Sequence, residues 1–455
     1  MDEYLRDLME SYGEWTDPEP GQEEMILTRP KWLTNRGDIL EKKFCDAFLH
    51  QHALCSCNGT FFDLNGAIRN EGAIRKKIYN MISPWVHCGI SRKVDALLSV
   101  LRYEADDGTI ISIKADYLHV ANGTYDMASR SFVPQQGFCR HRFPVRYNVN
   151  APRPERWLKF LGELLEEEDI PTLQEYMGYC LFPTTRAQKM LMIIGNGGEG
   201  KSRIGVVMKA LLGEALHQGS LAKVEHNAFA RADLENVLVM VDDDMKMEAF
   251  KQTNYIKSII TAEYNMDLEK KGIQSYQGRL YVRFLGFGNG SLQALHDRSH
   301  GFFRRQIILR AKPRPSDRVD DPFLDIALKK ELEGIFLWCI EGWERLFLND
   351  FRFTLSPGAH RNMSESIADS CNIPEFMDSQ GYFLRDEFYS CSSRNLYRIY
   401  TDWCDDNSYT PLSQKTFFTW LKENAPRYHL QHINSVPIGN GRYAKGFRGI
   451  RALPR

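Results

Sequence analysis

The chain has 455 residues, more than a single hydrophobic core usually serves, so two or three domains are expected. It is 43% hydrophobic and 26% charged, an ordinary globular composition. No run of about 18 apolar residues occurs and the N-terminus is acidic where a secretion signal would be basic, so the expectation is a soluble cytoplasmic protein with no membrane partner, its ten cysteines reduced thiols.

The formal net charge of -1 argues against a general polyanion binder, but the average hides a polarity. Asn407–Arg455 holds eight Lys/Arg and one acid, Glu423, so this tail is +7 and residues 1–406 sum to -8. Such polarity points to a nucleic-acid contact near the C-terminus.

In chain order, Met1–Glu24 carries nine acids against one base, Arg6, and residues 1–30 read as a solvated, poorly ordered leader. A small α+β domain is expected over 31–150. Within it Glu41–His52 has helical spacing, Ala53–Leu64 has β character with Asn58-Gly59 and Asn65-Gly66 as turns, and Gly72–Trp85 fits an amphipathic helix. Cys45, His50, His52, Cys55, Cys57, His87 and Cys88 invite a zinc reading. Their spacing matches no standard finger, and Cys55 and Cys57 alternate like one face of a strand, so strand packing is preferred. Asp106-Asp107-Gly108 reads as a hairpin turn between β-rich flanks in Leu101–His119. Asn148–Pro154 reads as a linker, and Glu155–Cys180 as helix, with Trp157, Phe160, Leu161, Leu164, Leu165, Leu173 and Met177 inward.

Residues 151–380 are expected to form the core. Met190–Ile194, five apolar residues without a charge, run into Gly195-Asn196-Gly197-Gly198-Glu199-Gly200-Lys201-Ser202, which satisfies G-x-x-x-x-G-K-[ST] at every fixed position. The glycines let the backbone bring N–H groups onto a phosphate, and the helix that follows adds its positive end. Lys201 is expected to reach the β- and γ-phosphates of ATP and the Ser202 hydroxyl to hold Mg²⁺. A second apolar strand, Val237–Val241, runs into Asp242-Asp243-Asp244. Asp242 is assigned to the metal and Asp243 to the attacking water, with Asp244 as the spare. Asn254–Ala262 is a short helix carrying Lys257. Met266–Leu280 is a hairpin with Lys270-Lys271-Gly272 at its tip, and the strand Leu280–Phe287 ends at Gly288-Asn289, where Asn289 could sense the γ-phosphate or hold water. Phe302-Phe303-Arg304-Arg305-Gln306 then leads into the strand Ile307–Leu309.

Beyond the core, Phe323–Phe347 carries an apolar stripe of helical spacing, and Pro357–Gln380 is another helical stretch before a boundary near Gly381. In 381–455, Asn395–Asp405 and Ser413–Asn424 are helices, followed by a Gly-rich hairpin around Ile438–Tyr443. Two helices and a basic hairpin outline a winged-helix domain. Lys415 would open its recognition helix, and Arg442, Lys445, Arg448 and Arg451 would meet phosphates of duplex DNA.

The ordered set of the phosphate loop, the acid-tipped strand, the Lys257 helix with the Leu268–Gly272 hairpin, Asn289 and Arg304-Arg305 resembles superfamily III helicases, most of all the replicative helicases of phages, plasmids and poxviruses. Asn122–Asp126 and the helical stretch to Leu181 resemble the module preceding their ATPase. The Leu268–Gly272 segment is similar to the DNA-gripping hairpin of polyomavirus large T antigen, with Gly272 where that protein has His, which shifts weight onto Lys271. The resemblance implies an α/β P-loop core of AAA+ type, with a central, mostly parallel sheet and flanking helices. It also implies a homo-hexameric ring around single-stranded DNA, in which Arg304 or Arg305 enters the neighbour's ATP site as a finger and Lys270 and Lys271 line the channel. The implied role is replication of a phage or mobile element in the host cytoplasm. With about 100 residues before the recognised module, no Asp-x-Asp pair and no zinc-ribbon spacing there, a helicase without primase is expected. Other readings are an NTPase that remodels or packages nucleic acid, and an origin-binding initiator whose ATP use only switches assembly. RNA is a less favoured substrate, since channel lysines do not distinguish sugars.

Overall fold

The computed structural model describes residues 28–453 apart from 109–110, 112–115, 246–252, 263, 290–299, 317–318, 320, 371, 408 and 410. The acidic stretch Met1–Glu24 lies outside the described residues. Two compact units are present, one within Met1–Phe61 and Asn70–Thr109, the other within Phe62–Arg69 and Ile110–Arg455.

In the first unit α1 (Glu41–Gln51) buries Phe44, Cys45 and Phe48. The short strand β1 (Cys55–Cys57) turns through Asn58 and Gly59, both at positive φ, into β2 (Thr60–Asp63). Past β3 (Gly66–Ala67), which lies in the second unit, the first resumes with α2 (Gly72–Ile82) and α3 (Ile90–Glu104). These two bury Ile74, Ile78 and Ile82, and Val94, Leu97, Leu98 and Leu101. Burial, with help from nearby acids, pushes the Cys45 and Cys55 thiols up to about 11, so both stay neutral at pH 7. Helix α3 corrects one expectation. Leu101–Glu104 is its last turn rather than a strand, because Val94, Leu97, Leu98 and Leu101 repeat at helical spacing. Asp106-Asp107-Gly108 ends that helix, with Gly108 at φ +79° and its N–H on the Asp106 carboxylate at 3.3 Å.

The second unit opens with a small sheet of β4 (Tyr117–Val120), β5 (Gly123–Asp126), β6 (Ser131–Val133) and β7 (Arg142–Phe143), in the order β6-β5-β4-β7. The helical stretch that follows is broken rather than continuous. Helix α4 (Glu155–Leu164) ends where Leu165 turns extended, and α5 (Ile170–Tyr179) restarts with Pro171 in its first turn. Leu118, Val120, Tyr125 and Phe143 of the small sheet share one core with Trp157, Phe160, Leu173 and Met177 of these helices.

The main sheet consists of β8 (Met190–Ile194), β9 (Leu216–Gln218), β10 (Val239–Met245), β13 (Arg283–Gly288) and β14 (Gln306–Arg310), in the order β14-β8-β13-β10-β9, every pair parallel. Between its strands lie α6 (Ser202–Leu212), α7 (Leu221–His226), α8 (Ala228–Ala232), α9 (Asn254–Thr261), the hairpin β11 (Met266–Lys270) with β12 (Ile273–Gly278), and α10 (His300–Phe303). Successive strand residues point to opposite faces, so each strand feeds two cores. Leu191, Ile193, Val239, Val241, Leu285 and Phe287 pack with α4, α5 and α6, whereas Met190, Met192, Met240 and Phe284 pack with α7, α9 and Leu268 of the hairpin. Burial on both faces accounts for the uninterrupted apolar runs.

Two further helices, α11 (Leu324–Lys330) and α12 (Leu332–Leu348), return over the first face. Helices α5 and α12 approach until backbone nearly touches backbone. A Cβ on Gly178 would collide with the Cys339 carbonyl, and one on Gly342 with the Gln174 carbonyl. Behind this crossing the buried Glu175 carboxylate accepts from Arg345 Nε at 2.6 Å and from Thr354 N–H at 2.7 Å.

After α13 (Pro357–Ser370) a separate core gathers α14 (Ile373–Asp378), β15 (Phe383–Ser392), α15 (Ser393–Asp406), α16 (Gln414–Asn424), β16 (Gln431–Pro437) and β17 (Tyr443–Ala452). The strands form an antiparallel sheet in the order β15-β17-β16, and Tyr400 stacks on Phe417 at 4.4 Å where the two longer helices meet. Strand β15 is not anticipated by the sequence pattern. Its residues alternate poorly, FLRDEFYSCS, with an unbroken exposed run from Leu384 to Phe388, so no period-2 signal marks it.

The glycine crossing is testable. Gly178→Ala or Gly342→Ala should destabilise the fold by about 1–3 kcal/mol through overpacking. Gly162→Ala, where nothing lies within 4 Å of the new Cβ, should lower neither the melting temperature nor the denaturant midpoint.

Candidate functional site at the carboxyl edge of the parallel sheet

Strand β8 ends at Ile194, and the Gly195 N–H donates to the Gly288 carbonyl at 3.1 Å, so the loop Gly195–Ser202 leaves the sheet beside the end of β13. Gly197, Gly198 and Gly200 have φ of +106°, +79° and +102°, a conformation that side-chain-bearing residues resist. Helix α6 then starts at Ser202, directing the loop's N–H groups and the helix's positive end into the same space.

The loop's own acid is part of its architecture. Glu199, 2% exposed, accepts the Gly197 N–H at 2.9 Å, the Asn196 N–H, and the Lys201 ammonium at 2.7 Å. Burial pulls the Glu199 carboxyl up, but the Lys201 ammonium and the Asn196 N–H outweigh it and hold the group below its usual 4.5. Nothing in the motif pattern signals this role, because the fourth variable position accepts any residue.

The loop walls a cavity of about 470 Å³. Gly197, Gly198, Gly200, Lys201 and Ser202 form one side, and Asp243, Asp244, Asn289 and Arg314 come from the ends of three other strands, with Pro322 and Leu324 at the start of α11. This is the carboxyl edge of a parallel sheet, where open α/β folds place ligands. The Asn289 amide nitrogen lies 4.0 Å from where a Cβ on Gly197 would stand.

Asp242 departs from its expected place. It follows Met240 onto the face that carries α7, where its Oδ2 accepts the Leu221 N–H at 2.8 Å, and it lines an adjoining hollow with Gly219, Lys223, Asp243 and Asp244 rather than the cavity of Lys201. Burial, with repulsion from Asp244 and Asp243, raises its carboxyl above the usual range against the pull of the Leu221 N–H. Asp243 and Asp244, both exposed, are the acids that share the cavity with Lys201 and Ser202. The strand register shifts between Asp242 and Met245, an irregularity that sequence alternation does not reveal.

Arg304 and Arg305 precede β14, whose first residue Gln306 pairs with Met190, the first of β8. They therefore sit at the amino edge of the sheet, opposite the cavity. Arg304 is exposed and its carbonyl accepts from Lys189 Nζ; the Arg305 carbonyl accepts the Met190 N–H at 2.8 Å.

The two hairpin lysines differ. Lys270 donates to Glu235 at 2.5 Å, with the Tyr276 hydroxyl on the same Glu235 oxygen at 2.7 Å. Lys271 is exposed at the tip, before Gly272 at φ +77°. In the C-terminal region Lys415 is exposed on the first turn of α16, where the Ser413 hydroxyl caps the helix by accepting the Thr416 N–H at 3.2 Å. Arg442, Lys445 and Arg448 lie at and along β17, all three exposed, while Arg451 lies over the Tyr389 ring at 4.2 Å.

A family of unknown function, DUF5906, matches residues 193–305, from the end of β8 to the residue before β14. No curated protein matches the chain. Among solved structures, the apo C-terminal region of NrS-1, residues 305–718, is similar at 10% identity and a TM-score of 0.47, covering 90% of this chain and 99% of that one. An A-form apo structure of the same region is similar at 11% identity and a TM-score of 0.48, with the same coverage.

Among the described residues, no helix is long and apolar enough to cross a membrane.

The Glu199 contact has a pH signature. A carboxyl held below 4.5 contributes stability in full above that pH and loses it as the pH falls through its depressed value. Glu199→Gln should therefore flatten the fall of melting temperature with acid below about pH 4.5, read by calorimetry across a pH series.

Proposed function

We propose that the chain is an ATP-driven replicative DNA helicase of the superfamily III kind, built on an AAA+-type P-loop core, working as a hexameric ring for a phage or mobile element. One observation carries the reading. Lys201, Ser202, Asp243, Asp244 and Asn289 share one cavity, while Arg304 and Arg305 stand at the other edge of the same sheet. Arginines so placed are out of reach of their own cavity and suited to a neighbour's. A finger supplied in trans contributes about 10³–10⁵ in rate.

The donors fit Mg²⁺ with ATP, since the Ser202 hydroxyl and the Asp243 carboxylate are hard oxygen ligands on one cavity. When bound, the ion would neutralise charge on the phosphates. Lys201 shares its charge between Glu199 and the β/γ-phosphates, Asp244 accepts a proton from or orients the attacking water, and Asn289 fixes that water or the γ-phosphate. Asp242 keeps a positioning role, holding the end of β10 against α7 through the Leu221 N–H.

Lys271, exposed at its hairpin tip, is assigned to the backbone of a threaded strand, and Lys270 to the hairpin's own rigidity through Glu235. The C-terminal region is read as a winged-helix domain that loads the ring on duplex DNA. Lys415 lies on its recognition helix, and Arg442, Lys445, Arg448 and, from above Tyr389, Arg451 lie along its wing.

A fork-unwinding and ATPase assay tests the motor. Lys201→Ala and Asp243→Asn should abolish both activities. Lys271→Ala should hydrolyse ATP yet fail to unwind. Tight binding to a single duplex sequence, with no strand separation by the wild type, would make the chain an initiator instead.

Duplex binding tests the C-terminal assignment. Replacing Arg442, Lys445 and Arg448 together by Ala should reduce the slope of log K against log salt by about 0.9 for each phosphate that is no longer neutralised. An unchanged slope would remove duplex DNA from this surface.

A further inference from the structure

We propose that Arg314 grips the terminal phosphate of the nucleotide from within the same subunit and makes the cavity discriminate triphosphate from diphosphate. The inference rests on the ATP-binding reading above and names a residue outside the ordered set of motifs.

Three observations place it. First, the Arg314 guanidinium lies over the loop, its Nη1 at 3.4 Å from the position a Cβ on Gly198 would take. Second, Gly198 follows Gly197, the residue faced by Asn289, so Arg314 and Asn289 flank the same stretch of the loop. That stretch precedes Lys201 and Ser202, so a phosphate chain laid along the loop from the start of α6 would end beside it. Third, the backbone that delivers Arg314 is anchored and stiff. The Ala311 N–H donates to the Ile194 carbonyl at 2.8 Å, which extends β14 alongside the start of the loop. The Lys312 N–H donates to the Leu164 carbonyl at 2.8 Å, and its ammonium to the Gly162 carbonyl at 3.0 Å. Pro313 and Pro315 then bracket Arg314, one fixing its own φ and the other holding Arg314 to an extended conformation.

The electrostatics call for such a group. Lys201 is matched at 2.7 Å by Glu199, and the cavity wall carries Asp243, Asp244 and Asp321 beside the arginines Arg203 and Arg314. A polyphosphate entering this space with Mg²⁺ needs more positive charge than the ion and that lysine supply, and of the two arginines Arg314 is the one placed over Gly198. A guanidinium supplies two parallel donors to phosphate oxygens, which a lysine cannot reproduce.

The experiment is equilibrium binding of fluorescent ADP and of a fluorescent, slowly hydrolysed ATP analogue to the full chain with Mg²⁺, for wild type, Arg314→Ala, Arg314→Lys and Lys201→Ala. Arg314→Ala should weaken the triphosphate analogue by about tenfold to a hundredfold and ADP by less than about threefold, as expected for one charge-assisted hydrogen-bonded pair. Arg314→Lys should recover only part of the loss. Equal weakening of both nucleotides, or no weakening of either, would overturn the role of Arg314 while leaving the ATP site in place. If wild type and Lys201→Ala alike bind neither nucleotide, the ATP reading falls and this inference with it. Arg314 is exposed, so its replacement leaves the core intact.

Discussion

Parallel pairing of β8 with both β13 and β14 is the constraint on which the rest of the structure depends. Leu191–Ile194 pairs with Leu285–Gly288, and Met190–Ile194 with Gln306–Arg310. Because these strands run the same way and end together, Gly195, Asn289 and the backbone leading to Arg314 emerge side by side, with Asp243 following from β10. Antiparallel pairing would have scattered these groups to opposite edges. The same register sends Arg304 and Arg305 to the far edge, which is why one subunit holds two incomplete halves of what is proposed as a shared site.

Close approach of backbone is the second theme. The loop tolerates its path because three glycines take positive φ, and helices α5 and α12 cross on Gly178 and Gly342. At each place a side chain would meet strain or collision, and at each the small residue puts rigid structure beside the cavity or behind it. Arg345 and Thr354 supply the partners that the fully buried Glu175 carboxylate would otherwise lack, which keeps the crossing in place.

Charge is arranged with equal economy. Glu199 neutralises Lys201 inside the loop, Asp242 satisfies the N–H that opens α7, and Glu235 restrains Lys270. In each case a residue type associated with catalysis or nucleic-acid contact is bonded within the fold. For the last two, the sequence neighbour, Asp243 or Lys271, is left facing the cavity or solvent. Adjacent like residues thus divide into one that holds the structure and one that faces outward.

The amino-acid sequence alone determined the elements whose chemistry is local. The apolar runs Met190–Ile194 and Val237–Val241, the glycine loop, the hairpin tip at Gly272 and the helices read over Asn395–Asp405 and Ser413–Asn424 all follow from periodicity, turn residues and caps within a dozen residues. Tertiary structure alone decided that FLRDEFYSCS pairs with β17, that Asp244 rather than Asp242 joins Asp243 in the cavity, and that Arg314 comes to lie over Gly198. Most of these depend on partners far along the chain: a register shift in β10, an edge against β17, a strand end held by Ile194 and Leu164. Local propensity cannot encode them, because the free energy that selects them comes from contacts that exist only once the sheet has closed.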